Sequence, residues 1–315
     1  MNSISDVSVI IRSAGERTEK ICYELIADQN VPVDSIFKIR EVPFSKALLK
    51  SFEIGKDQNK KWTFCVDADV LLRPGSIQEM IRLADAQSQK VCQVQGYMLD
   101  KFFGGVRKGG VHVYRTSLLE NVKGKVPKEG VNIRPESFAL KQMADEGYPT
   151  KVVPYIVGLH DFEQYNYDIY RKAFVQAEKH LFRSELLIKL WKEKANDDQD
   201  YQLALKGFAD SIVNHEEIFI NRNQSLYKDF FDKAGLPEKD SLNIDEYSLS
   251  RVEEIIEEWH YPDIYHSYFP DKDGYELTPA SYWNKVKRAR EKYGLLKTAR
   301  YSLSEFLFMM SKKLK

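Results

Sequence analysis

The sequence has few cysteines, no long apolar run and no net charge. Its three cysteines, Cys22, Cys65 and Cys92, have no close spacing, so they supply neither a disulfide framework nor a zinc knuckle. A reducing compartment is therefore expected. No segment has the roughly 18 apolar residues of a membrane-spanning helix, and the apolar run at residues 7–11 is too short for the core of a signal peptide. These absences favour a cytoplasmic protein.

Composition and charge describe a folded chain with two unlike parts. The 315 residues are 43% hydrophobic and 30% charged, which excludes a disordered chain and is sufficient for a large core. The 47 basic and 47 acidic residues balance overall. Residues 281–315, however, contain ten basic and two acidic residues, a net charge of +8, so the first 280 residues carry −8. A basic segment of this kind indicates an anionic partner.

The end of the chain combines this charge with apolar residues at helical spacing. A helix is predicted over residues 301–315, with Leu303, Phe306, Leu307 and Met310 on one face. Such a helix can lie on an anionic membrane surface, at the inner face of the membrane, or it can dock on the protein's own core. Nucleic acid is not an expected partner, because no basic domain and no strand platform with interleaved aromatic residues accompanies the segment.

The first half of the chain alternates predicted strands with predicted helices. Short apolar runs rich in β-branched residues predict strands, and apolar residues at helical spacing predict the helices between them. The strands fall at residues 6–12, 34–42, 62–66 and 91–97, and the helices at residues 16–30, 45–56 and 76–86. This alternation predicts an α/β fold with a mainly parallel sheet, whose ligands bind beyond the carboxyl ends of the strands.

The second half of the chain is predicted to be helical. Helices are expected over residues 167–194 and 200–214, and an acidic helix face is expected at residues 253–258. We therefore predict a ligand-binding sheet domain over residues 1–165 and a helical region over residues 166–315 that ends in the basic amphipathic helix.

The clearest chemical signal is a pair of carboxylates, Asp67 and Asp69, directly after the apolar strand at residues 62–66. Carboxylates at such a position can bind a hard divalent cation together with phosphate oxygens. The alternative is a solvated turn in which an aspartate caps a helix, since an isolated Asp-x-Asp occurs in many surface loops. The preceding strand, and the Pro74-Gly75 turn that leads into a helix, favour the metal site.

Several stretches together resemble the nucleotide-sugar glycosyltransferases of the GT-A fold, especially the large bacterial group related to family 2. The segment with Asp67 and Asp69 resembles the strand that carries the family's DxD motif, and residues 7–12 resemble its first strand. Further similar segments lie at residues 50–55 (KSFEIG), 109–115 (GGVHVYR), 136–148 and 157–160 (VGLH). The resemblance covers about residues 5–165 and rests on the order and spacing of these motifs.

The resemblance implies a GT-A fold and a metal-dependent transferase of the hexosyltransferase type. Such an enzyme moves a sugar from a nucleoside diphosphate, here expected to be UDP or GDP, to a glycan or lipid-linked acceptor in surface polysaccharide synthesis. By the resemblance, Asp69 binds the metal directly, Asp67 shares the metal or contacts the ribose, and His160 completes the site. Mn²⁺ or Mg²⁺ is the expected cofactor, because carboxylates suit both ions and an imidazole favours Mn²⁺.

Four further residues are candidates for binding the donor. Arg12 and Lys50 are predicted to contact the nucleobase and the diphosphate, Lys50 as a charge at a helix start. Gly109 and Gly110 would let the backbone approach the donor sugar closely. The two glycines can equally mark a simple turn.

The catalytic base is the point at which the sequence departs from the family. The family places an aspartate second in its Glu-Asp pair, where this chain has Ser137. Glu136 is the predicted base that takes the proton of the acceptor hydroxyl, with Asp161 and Asp100 as alternatives. Glu136 can instead be a carboxylate at a helix N-terminus, where the helix dipole favours it without catalysis. A retaining mechanism would not need such a base.

Three other functions are open on the sequence alone. A nucleotidyltransferase shares the sheet and the acidic site but favours a glycine-rich basic loop after the first strand, whereas residues 13–17 contain one glycine. A phosphatase of the haloacid dehalogenase type normally has its Asp-x-Asp after the first strand, not after a later one. A sugar-nucleotide-binding scaffold without catalytic activity would explain Ser137 in place of the aspartate.

Overall fold

The computed structural model of the chain describes residues 4–179, 184–214, 216, 218 and 221–259. The basic amphipathic helix predicted at the end of the chain, and all of residues 281–315, lie outside these residues. The contact of that segment with an anionic membrane therefore stays a prediction. Among the described residues, no helix combines the length and the apolar character that crossing a membrane requires.

The first part of the chain alternates strands and helices as predicted. The strands are β1 (Val7–Ser13), β2 (Ile36–Arg40), β3 (Trp62–Asp67), β4 (Val70–Leu72), β5 (Gln93–Asp100), β6 (Gly105–Lys108), β7 (Val111–Arg115) and β8 (Thr150–His160). The helices among them are α1 (Glu19–Ala27), α2 (Phe44–Gln58), α3 (Ser76–Asp85), α4 (Leu119–Lys123) and α5 (Pro135–Asp145). Each element predicted from the hydrophobic pattern is present, with ends that differ by a few residues.

The strands form one sheet in the order β2-β1-β3-β7-β5-β8-β4, and β6 pairs with β5 outside this path. Strands β1, β2, β3, β5 and β8 run in one direction, and β4, β6 and β7 run in the opposite direction. This mixed α/β architecture confirms the predicted fold class and is consistent with a Rossmann-like GT-A fold. The strands predicted from the hydrophobic pattern do not include these three, and β4 and β6, of only three and four residues, are too short to show a pattern.

Helices cover the sheet on both faces. Side chains alternate along β1, so that Val9 and Ile11 pack in a cluster with α1 and α3, whereas Ile10 packs in a second cluster with α2 and α5. A strand that is buried on both faces needs apolar side chains at successive positions. The continuous apolar run of β1 is explained by this double burial.

After β8 the described chain is helical, with α6 (Asn166–Lys179), α7 (Ser184–Lys194), α8 (Gln199–Ile212), α9 (Ser225–Lys233) and α10 (Leu249–Glu258). Aromatic residues of these helices, among them Phe174, Trp191 and Tyr227, form a separate core. Phe102 and Phe103, from the loop after β5, join this core and attach the helices to the sheet. The predicted division at residues 165–166 falls between β8 and α6, and its status as a domain boundary stays a prediction.

Candidate metal centre

Parallel strands end at one edge of the sheet, and polar side chains are grouped there. Arg12 of β1 is the register partner of Asp67 of β3, and Asp100 of β5 is the register partner of His160 of β8. The carboxyl ends of strands are where open α/β sheets bind their ligands. The fold thus brings residues that are far apart in the sequence to the edge where a ligand is expected.

Asp69, His160 and Asp161 form a group that we call the acid–histidine cluster. One candidate ligand atom from each residue lies within 4.8 Å of the others. The Nδ1 atom of His160 is 3.0 Å from Asp161 Oδ2, and its Nε2 atom is 3.7 Å from Asp69 Oδ1. Two carboxylates and one imidazole suit Mn²⁺ or Mg²⁺. The cluster is the candidate metal centre in the part of the chain that the structure describes.

The backbone around the cluster has unusual geometry. Asp161 has a φ of 64°, in the left-handed region that aspartate adopts more readily than most residues, and its N–H donates to the carbonyl of Asp69 at 3.1 Å. Gly110 has a φ of 73°, and a Cβ at this position would come within 2.6 Å of Val70 Cγ2 and within 3.0 Å of His160 Cδ2. The carbonyl of Gly110 accepts a hydrogen bond from the N–H of Asp67 at 2.8 Å. Backbone hydrogen bonds therefore tie the DxD loop to both neighbouring strand ends.

Lys172, on α6, donates hydrogen bonds to both carboxylates of the cluster. Its Nζ atom lies 2.5 Å from Asp69 Oδ2 and also contacts Asp161 Oδ1. Burial opposes the positive charge, but Asp161 and Asp69 outweigh this effect and hold the pKa of Lys172 well above its ordinary value. The carboxylate pair is thus already bridged by an ammonium group.

Arg107, on β6, contributes a second cation beside the cluster. Its guanidinium donates to Asp100, and its Nη2 atom lies 3.2 Å from Nδ1 of His160. A Cβ at Gly109, whose φ is 144°, would come within 2.8 Å of Arg107 Nη1. Both predicted glycines therefore lie directly beside charged groups of the site, and their assignment to donor binding stays a prediction.

The protonation of the cluster follows from its charges. Burial opposes protonation of His160, but the carboxylates of Asp161 and Asp69 outweigh it and raise the pKa of His160 to about 10. Burial likewise opposes ionisation of Asp161, yet His160 and Lys172 hold the pKa of Asp161 below its ordinary value. The carboxylates thus stay charged at neutral pH, and the protonated His160 and Lys172 balance their charges.

A divalent metal fits these residues. The Oδ1 atom of Asp69 is buried and has no hydrogen-bond partner within the described residues, and it faces His160. A buried carboxylate oxygen without a partner is unfavourable, and a cation bound there would satisfy it. An imidazole binds a metal in its neutral form, so metal binding would release the proton that His160 otherwise holds.

A second polar network, centred on Glu136 at the start of α5, lies beside Arg12. Glu136 Oε1 accepts hydrogen bonds from Arg12 Nη1 at 2.8 Å and from the Tyr114 hydroxyl at 2.6 Å, and its Oε2 atom lies 3.0 Å from His112 Nε2. Burial opposes ionisation, but Arg12 and His112 outweigh it and keep the pKa of Glu136 well below its ordinary value. A carboxylate held in this way is a weak base. The network favours a structural role for Glu136, and its assignment as the catalytic base stays a prediction.

The two aspartates of the DxD motif point to different partners. Asp67, the last residue of β3, pairs with Arg12 Nε at 2.8 Å and is not one of the three clustered ligands. Arg12 is buried, and among its nitrogens Nη2 has no hydrogen-bond partner in the described residues. The metal role of Asp67 and the donor role of Arg12 remain predictions.

Lys50 is the predicted site residue that the structure leaves away from the others. It lies in the middle of α2, which begins at Phe44, so its predicted position at a helix start is wrong. Its side chain is 52% exposed, and its Nζ atom lies 3.9 Å from Glu53. In the described part of the chain, no hydrogen bond or ion pair joins it to the other predicted site residues. Its donor role stays a prediction.

The sequence alone does not single out Lys172 or Arg107, and it suggests Asp161 as a base and not as a metal ligand. Asp161 could have been found, because it directly follows the predicted ligand His160 at the end of a strand. Lys172 has no comparable signal in the sequence. It lies on a helix beyond the last strand, and only the packing of α6 brings it to the sheet edge.

Comparison with known proteins gives weak similarities. No protein-family model matches the sequence, and no curated protein matches it. Among solved structures, the mannosyltransferase PcManGT from Pyrobaculum calidifontis, in complex with GDP-Man and Mn²⁺, is 13% identical, with a TM-score of 0.41 over 73% of this chain and 79% of that chain. A glycosyltransferase involved in the glycosylation of the major capsid of PBCV-1 is 12% identical, with a TM-score of 0.34 over 48% and 82%.

A nucleotidyltransferase is similar at the same level. A cytidylyltransferase from Leptospira borgpetersenii serovar Hardjo-bovis is 12% identical, with a TM-score of 0.35 over 68% of this chain and 99% of that chain. The structural neighbours thus include both glycosyltransferases and nucleotidyltransferases. Similarities at this level do not determine the reaction.

Proposed function

We propose that the protein is a glycosyltransferase that transfers a sugar from a nucleoside diphosphate, UDP or GDP, to a glycan or lipid-linked acceptor, with Mn²⁺ or Mg²⁺ as its cofactor. The observation that carries the proposal is the acid–histidine cluster at the carboxyl ends of the strands. Its buried Asp69 Oδ1 atom has no hydrogen-bond partner among the described residues, and a cation would satisfy it. An unsatisfied carboxylate at a ligand-binding sheet edge is typical of a functional site.

Each group of residues has a separate task in this proposal. When bound, the divalent ion supplies positive charge that neutralises the leaving nucleoside diphosphate. Asp69, His160 and Asp161 hold the ion at the sheet edge. Arg12 offers its unpartnered Nη2 atom to the donor. Gly110, where a Cβ would press on His160, leaves the imidazole room to reach the ion.

The loop after β1 favours glycosyl transfer over nucleotidyl transfer. The N–H of Ala14 donates to the carboxylate of Glu16 at 2.7 Å, and the N–H of Gly15 donates to the Ser13 hydroxyl at 2.9 Å. Arg222 binds the carbonyls of Ala14 and Gly15 at 2.7 and 3.0 Å and fixes the loop. Backbone N–H groups that already bond to protein oxygens, one of them a carboxylate, are not available to a triphosphate.

Isothermal titration calorimetry with UDP, GDP, CDP and dTDP, each with and without Mn²⁺, tests the proposal. We expect one of these nucleotides to bind only in the presence of Mn²⁺, and we expect Asp69→Asn to abolish this binding. Asp232→Asn is the matched control, because Asp232 is 56% exposed and pairs only with Lys228 among the described residues. Failure of every nucleotide to bind, or binding that is unchanged in Asp69→Asn, would contradict the proposed function.

The acceptor and the location of the protein are proposed from the sequence. A lipid-linked acceptor would place the protein at the inner face of a membrane, with the basic residues 281–315 on the anionic lipid surface. Co-sedimentation with anionic liposomes tests this contact. We expect binding by the full chain and its loss when residues 301–315 are deleted, and equal binding by both would remove the membrane from the proposal.

A further inference from the structure

Lys172 bridges the two carboxylates that the acid–histidine cluster offers to a metal. Its Nζ atom lies 2.5 Å from Asp69 Oδ2 and also contacts Asp161 Oδ1. The remaining carboxylate oxygens, Asp69 Oδ1 and Asp161 Oδ2, face His160. An ion held by the clustered ligands would therefore share both of its carboxylates with the ammonium group.

Two cations on one carboxylate pair repel each other, and the repulsion is strong where the pair is shielded from water. The carboxyl side chain of Asp161 is 8% exposed and that of Asp69 is 12% exposed, so solvent screens the repulsion only weakly. The side chain of Lys172 is 21% exposed, and its four-carbon stem is flexible. The ammonium group can thus leave the pair for solvent, whereas the carboxylates are held in place.

We propose that Lys172 is a resident cation of the metal centre, which a divalent ion must displace from Asp69 and Asp161. The lysine balances the carboxylates until the metal arrives, and it lowers the affinity of the centre for the metal. This inference rests on the metal site of the proposed function. It concerns the binding of the metal alone, so it can be tested without a nucleotide or a sugar.

Calorimetric titration of the full chain with Mn²⁺ alone tests the exchange. Lys172→Met keeps the length of the side chain and removes its charge, so we expect Mn²⁺ to bind at least about tenfold more tightly than to the wild type. Lys172→Arg keeps the charge and is expected to bind Mn²⁺ as weakly as the wild type. Lys189→Met is the matched control, because Lys189 is 67% exposed and pairs with Glu193 on α7, and its Mn²⁺ affinity should not change.

Arg107→Met tests whether the loss of any nearby positive charge raises Mn²⁺ affinity as much as the loss of the competing Lys172 ammonium. Arg107 pairs with Asp100 and not with the bridged carboxylates, so its removal should raise Mn²⁺ affinity less than Lys172→Met does. In the wild type, Mg²⁺ should shift the side-chain Cε resonance of Lys172 in an NMR titration. This measurement keeps the test informative if the variants are poorly folded.

Several outcomes would overturn the inference. Mn²⁺ affinity in Lys172→Met that equals or falls below the wild-type value would exclude competition, and so would the absence of Mn²⁺ binding in both proteins. Nucleotide binding that needs no metal but needs Lys172 would instead make the lysine a permanent substitute for the ion. If Lys172→Met binds Mn²⁺ more tightly but no nucleotide binds, the inference holds and the proposed function fails.

Discussion

Replacement of Glu136 by glutamine separates the two roles that this residue can have. The sequence predicts a catalytic base, whereas the structure shows a carboxylate that accepts hydrogen bonds from Arg12 and Tyr114 and lies 3.0 Å from His112. Glutamine keeps the size of the side chain and one acceptor oxygen, but it removes the negative charge. Among the described residues, Arg12 then keeps Asp67 as its one charged partner.

The contacts of Glu136 determine the loss of stability that we expect in Glu136→Gln. Removal of one partner from a buried ion pair costs about 3–5 kcal/mol, because the other charge is left uncompensated. Arg12 retains Asp67, and the amide oxygen of glutamine can still accept hydrogen bonds, so we expect the free energy of unfolding to fall by about 2–3 kcal/mol. In a chain of 315 residues, such a loss lowers Tm by roughly 3–5 °C.

Thermal unfolding and the release of nucleoside diphosphate from the donor are the two measurements. Glu120→Gln is the control, because Glu120 is 60% exposed on α4, and its replacement should leave Tm unchanged. A structural Glu136 predicts a lower Tm and a rate that falls less than about tenfold, whereas the loss of a general base costs about 10²–10⁴ in rate. Wild-type stability combined with loss of activity in Glu136→Gln would refute the structural role.

Two further predictions follow from the site and its surroundings. Gly110→Ala should weaken Mn²⁺ binding and lower stability by about 1–3 kcal/mol through collision of the new Cβ. Gly147→Ala is the control, because Gly147 has a similar φ of +89° and a Cβ there would meet no atom within 4 Å. It should show only the smaller cost of backbone strain. Equal losses of stability in both variants would contradict the collision. Burial opposes ionisation of Glu19, but Ser13 and Arg40 outweigh it and lower its pKa from 4.5 to about 2. Urea unfolding should therefore show that Glu19→Gln costs about 1 kcal/mol above pH 4.5 and progressively less as the pH falls toward 2, whereas a cost independent of pH would contradict the ion pair.

The Arg12 network and the acid–histidine cluster divide the DxD motif between two tasks. Asp67 pairs with the buried Arg12, and Asp69 faces His160 in the candidate metal centre. The motif thus joins a buried ion pair to a carboxylate of the candidate metal centre within three residues. A substitution at Asp67 is therefore expected to act through Arg12 and Glu136 as well as through any contact with a ligand.

Local patterns predict part of the candidate site. Asp69 directly follows an apolar strand, and a buried strand must end at the sheet edge, so its position at that edge follows from the sequence. His160 was predicted from a family resemblance, and the structure does bring it to Asp69. Lys50 shows the limit of this reasoning, because its place in a motif does not determine toward which side of a helix it points.

The sequence by itself determined the α/β class, the order of the main strands and helices, and the region of the chain that holds the acidic site. These features depend on residues that are neighbours along the chain, where periodicity and turn residues are informative. The tertiary structure alone decided that Asp161 and not Asp67 joins Asp69, because the left-handed turn at Asp161 and the ion pair of Asp67 set the directions of their carboxylates. It alone also placed Lys172 between the carboxylates, since that contact depends on how a helix after the last strand packs against the sheet edge.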